Sequence, residues 1–75
     1  MKQIRHFTAV IQGEGDGYVA LCPELDVASQ GASVEEARRN LAEAVELFLE
    51  AADPSEVDRR LGGEFFVTRL DVAVG

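Results

Sequence analysis

This chain of 75 residues has no tryptophan, one cysteine (Cys22), one histidine (His6) and only seven basic side chains against fourteen acidic ones. Each scarcity excludes something. A single cysteine cannot close an internal disulfide, and Cys22 with His6 falls short of the roughly four ligands that a structural zinc site needs. A net charge of −7 is the wrong sign for tracking a phosphate backbone, because that affinity rests on cationic contacts. No run approaches the roughly 20 apolar residues of a membrane-crossing helix. Lys2, Gln3, Arg5 and His6 break up the apolar run that an export leader requires. These absences make a cytoplasmic protein without cofactor or metal the expectation. A domain of this size sits near the lower limit for a self-sufficient core, and with disulfides and zinc excluded, self-association is the remaining aid.

What is present reads as one domain over residues 1–75. Residues 3–12 are rich in β-branched and aromatic side chains and predict a strand, with Phe7, Ala9 and Ile11 on one face. Gly13-Glu14-Gly15-Asp16-Gly17 supplies a hairpin turn; its spacing matches neither a dinucleotide fingerprint nor a phosphate loop. Residues 18–22 form the second strand, which Pro23 ends because proline cannot donate to a ladder. Residues 25–30 predict a third strand, and Gly31 releases the chain.

Ser33-Val34-Glu35-Glu36 is a capping box. After it Val34, Ala37, Leu41, Ala44, Val45, Phe48 and Ala52 recur at helical spacing on one face, predicting a helix to about Ala52. Asp53 and Pro54 restart a short helix closed by Leu61-Gly62-Gly63. Residues 64–74 predict a last strand with Phe66, Leu70, Val72 and Val74 on one face and Phe65, Val67 and Ala73 on the other. A strand apolar on both faces is central in a sheet or buried against another copy, so Phe66, Leu70, Val72 and Val74 are the candidate oligomer interface, of a dimer or tetramer. The order is β-β-β-α-(short α)-β, an α+β class with an antiparallel meander and one main helix packed on a face.

Gly17-Tyr18, Pro23-Glu24-Leu25, Ser29-Gln30-Gly31, Ser33-Val34-Glu35-Glu36-Ala37 and Asn40-Leu41 follow one another with the order and spacing of the HicB antitoxin family, which the chain resembles over nearly half its length. The resemblance implies a partial ribonuclease H-like layout. It also implies a partner: a small, basic, HicA-type toxin that cleaves mRNA, neutralised sterically by an antitoxin that is no enzyme. Many members of that family carry a C-terminal DNA-binding module. No basic recognition helix follows the last predicted strand here, so operator binding by this chain alone is not expected.

An acidic surface suits a basic partner. The candidate contacts are Glu14 and Asp16 in the hairpin, Glu24 and Asp26 at the bend, and Glu43 and Glu50 on the outer face of the long helix. Two other classes compete. One is an orphan oligomerising interaction domain whose partner is different or lost. The other is a metal-dependent nuclease, for which Asp16, Glu24, Asp26 and Asp71 would have to converge on two ions roughly 3.5–4 Å apart; solvated carboxylates explain those four residues more simply. His6 lacks a nucleophile beside it in sequence, Cys22 reads as a small hydrophobe, and Asn40 is an uncommon residue for mid-helix.

Overall fold

A computed structural model describes residues 3–75; Lys2, part of the leader argument, lies outside them. Three strands, β1 (Val10–Glu14), β2 (Gly17–Cys22) and β3 (Val27–Gly31), precede a long helix α1 (Val34–Ala51) and a short one, α2 (Pro54–Leu61). The strands form one antiparallel sheet in the order β1-β2-β3. The fold is α+β, a meander with its main helix on one face, as the hydrophobic periodicity requires.

Register sorts the side chains. Ile11 pairs with Ala20, which pairs with Ser29, while Cys22 pairs with Val27. This row, with Tyr18, faces the helix. Ala20, Cys22 and Leu25 are fully buried against Ala37, Leu41 and Val45 of α1, and Phe7, Ile11, Phe48, Leu49 and Leu61 pack around them. Val34, placed on the buried face by periodicity, is half exposed instead.

The capping box forms with one change. The Ser33 hydroxyl accepts from the Glu36 amide at 3.1 Å, but the Glu36 carboxylate returns to the Ala32 amide at 2.9 Å, one residue before the expected Ser33. Glu35 pairs with Arg38, three residues on, a spacing that brings side chains together on a helix surface.

Gly31 sets how closely the layers approach. A Cβ there would stand 2.5 Å from the Ala37 nitrogen and 2.8 Å from the Glu36 carbonyl carbon. Beside this contact, Asn40 Nδ2 donates to the Gln30 carbonyl at 2.8 Å. The mid-helix asparagine is therefore a tie between α1 and β3. At the other end of the molecule Arg60 joins α2 to the rest: its guanidinium lies 4.6 Å from the Phe48 ring centroid, donates to Glu56 at 2.9 Å and also to the Leu25 carbonyl.

The strands differ from expectation at their ends, β1 and β2 reaching Glu14 and Gly17 inside the expected glycine loop. The third strand begins at Val27, because Leu25 is drawn into the core and Asp26 turns the chain with φ +55°. The first begins at Val10, leaving residues 3–9 outside the ladder. The last strand, expected over 64–74, does not form: residues 64–75 have no secondary structure and are exposed throughout, with Phe66, Leu70 and Val74 more than four-fifths accessible. A strand exists only through a partner, and among the described residues neither segment has one. The radius of gyration is 14.6 Å, against about 11 Å for a compact chain of this length.

Candidate functional site

The candidate acidic side chains fall into three groups. Glu14 and Asp16 flank the β1–β2 turn, where Gly15 takes φ +59°. Together with Tyr18 and Glu36 they line an open concavity at the Gly31 end of the sheet. Glu24 and Asp26 occupy the β2–β3 bend at the opposite end, one strand length away, or about 17 Å. Glu43 and Glu50 stand exposed on α1 with Glu46 between them, at the i, i+3 and i+7 positions of one ridge. Glu46 was missed in the sequence reading, although its spacing from Glu43 was the available signal. The hairpin and bend carboxylates are thus separate groups that share no single patch.

Glu24 differs from the rest in being engaged within the chain. Its carboxylate accepts from the Thr8 amide at 2.7 Å and lies 3.5 Å from the Cys22 thiol. Partial burial pushes its pKa up, but its own amide and the hydroxyl and amide of Thr8 outweigh this, and the carboxyl is held below its ordinary range. Glu24 therefore pins Thr8 to the bend. The Cys22 thiol is pushed up, first by burial and then by the neighbouring Glu24, against an opposing contact from the Leu25 backbone. A thiol held protonated is a poor nucleophile, which fits its place in the core.

Asp16, Glu24, Asp26 and Asp71 do not converge. Among the described residues no group of three His, Cys, Asp or Glu side chains is placed to share a metal ion. His6 is exposed on the segment before β1. It lies along a groove of about 490 Å³ between residues 3–9 and α1, with Leu41, Ala42, Val45 and Leu49 on the helix side. Among the described residues no helix is long and apolar enough to cross a membrane. The arrangement presents exposed carboxylates in separate groups at the hairpin, the bend and the long helix.

Comparison with known proteins gives the lineage. A UPF0150 protein of Helicobacter pylori is 46% identical over 50 residues, covering 65% of this chain and 69% of that protein. The chain belongs to the UPF0150 family. A UPF0150 protein of Synechocystis sp. is likewise 46% identical, over 52 residues and 67% of this chain. The chain spans 66% of the length of that relative. No family model matches the chain, and no solved structure matches it.

Proposed function

We propose that this UPF0150 chain is a HicB-like antitoxin module that binds a small, basic, mRNA-cleaving toxin of the HicA type and covers its active site. It works in the cytoplasm by steric occlusion, and is itself neither an enzyme nor a direct binder of nucleic acid. The observation that carries the reading is the acidic ridge Glu43-Glu46-Glu50 on a chain of net charge −7 whose motifs resemble that family from Gly17 to Leu41. Fourteen carboxylates over seven basic groups repel phosphate and attract a basic protein. The hairpin carboxylates Glu14 and Asp16 provide a second contact region. Glu24 contributes by holding the bend in shape, so its reversal would confound recognition with folding. Co-expression with small basic proteins encoded beside it, followed by affinity capture and an RNA-cleavage assay on the captured partner, tests the reading. Capture of a ribonuclease that is silent in the complex and active when released supports it; no such partner, or magnesium-dependent RNA cleavage by the chain alone, refutes it.

A further inference from the structure

Two segments that read as strands in the sequence are unpaired in the single chain: residues 3–9, which lead into β1, and residues 64–75. β1 is an edge of the sheet, so its outer hydrogen-bonding groups are open to another strand. The long helix leaves room for one. It packs chiefly over β3 and β2 and barely touches β1, and the space beside it is the groove lined by residues 3–9 and by Leu41, Val45 and Leu49.

The 64–75 arm has the pattern such a slot selects. Phe66, Leu70, Val72 and Val74 fall on one face by the two-residue period, and Arg69 and Asp71 alternate with Phe65, Val67 and Ala73 on the other. The face that carries no charge from Phe66 to Val74 suits the helix. Phe66, Val67, Leu70, Val72 and Val74 are at least two-thirds exposed in the isolated chain. Apolar surface of this extent on a small soluble protein marks a contact site.

We infer that two copies of this chain exchange their 64–75 arms, each arm adding as a strand beside residues 3–12 of the other copy. Charge permits this meeting between two molecules that each carry −7. Residues 3–13 contain no acidic side chain and one arginine, Arg5; the arm contains Glu64, Arg69 and Asp71, a net −1. The near-neutral strands of the two copies meet, with Arg38 and Glu46 of the long helix at the wall of the groove. The area is also adequate. Four such side chains at about 60–120 Å² each give roughly 240–480 Å² per arm. Two arms and their strand backbone then approach the roughly 1,200 Å² at which specific interfaces begin. The exchange is isologous and closes at two copies. It stands independently of the antitoxin reading.

Sedimentation equilibrium on the full chain at micromolar concentration should give twice the chain mass. In a mixture of isotope-labelled and unlabelled chains, filtered NOEs should connect side chains of residues 66–74 in one copy with residues 4–11 in the other. Leu70→Asp and Val72→Asp should each weaken the dimer by about tenfold or more, since a lone carboxylate would enter the apolar slot, while the helical circular dichroism stays. A monomeric wild type overturns the proposal. So does a dimer whose arm contacts are confined to one chain, the signature of an arm folded back on itself, or one indifferent to both substitutions. If a variant loses its helical signal, the filtered NOEs of the wild type decide.

Discussion

Replacing Gly31 with alanine tests how α1 sits on the sheet. The added Cβ would fall 2.5 Å from the Ala37 nitrogen, 2.8 Å from the Glu36 carbonyl carbon and 3.0 Å from the Ala37 Cα. All three obstacles are backbone, so no side chain can swing aside and the helix start must move from β3. Overpacking of this kind costs about 1–3 kcal/mol. The backbone at Gly31 is outside the left-handed region, so alanine also stiffens the unfolded chain, offsetting about 0.4–1 kcal/mol. A shifted helix additionally stretches the bond from Asn40 to the Gln30 carbonyl, a contact of about 0.5–1.5 kcal/mol. The net expectation is a loss of about 1–3 kcal/mol, or a drop in Tm of about 4–8 °C for each kcal/mol in a domain this small. Urea denaturation followed by circular dichroism, with Gly63→Ala as control, measures it. A Cβ at Gly63 meets only the Arg60 carbonyl oxygen at 3.9 Å, so the control should keep its midpoint or gain about 0.4–1 kcal/mol from the stiffer unfolded chain. An unchanged midpoint for Gly31→Ala would refute the close approach of helix and sheet.

Ser33→Ala removes the acceptor for the Glu36 amide and should cost about 0.5–2 kcal/mol; a denaturation midpoint equal to wild type would place the helix start elsewhere. Glu24→Gln should flatten the acid limb of the stability curve. The Glu24 carboxyl is depressed in the folded state, so its contribution is complete above the unfolded value near 4.3 and is lost as pH falls through the lower folded value. Thermal melts of both proteins from pH 7 down to pH 3 check this, and identical acid limbs would contradict the Thr8–Glu24 tie.

The helix was legible because its signals are local. A serine, a glutamate three residues on and a 3.6-residue apolar period lie within one segment, and α1 runs from Val34 to Ala51. The hairpin was legible for the same reason. Contacts between distant segments were not: Arg60 reaches the Leu25 carbonyl across 35 residues, and Asn40 finds Gln30 only when the helix lies on β3. Glu24 matched a family motif and carried a negative charge, which pointed outward to a partner; its bond to Thr8 shows an inward role. The strand character of residues 3–9 and 64–74 was visible in composition, but pairing depends on a partner strand that a composition pattern cannot name. For the candidate site, Glu14 and Asp16 come together in space, while Glu43 and Glu50 gain Glu46 as a third member.

The central claim, recognition of a basic toxin through acidic surface, is tested most directly by the rate at which the captured partner binds across a salt series. The probes are the wild type, a Glu43→Lys/Glu46→Lys/Glu50→Lys variant and a Glu14→Lys/Asp16→Lys variant. Encounter between opposite charges is screened once the Debye length falls to about 8 Å, so association should slow as salt rises while dissociation changes little. The ridge variant should associate slowly at every salt concentration and leave the partner's ribonuclease active. Association that is equally fast in high salt, or a ridge variant that still silences the ribonuclease, would contradict the account.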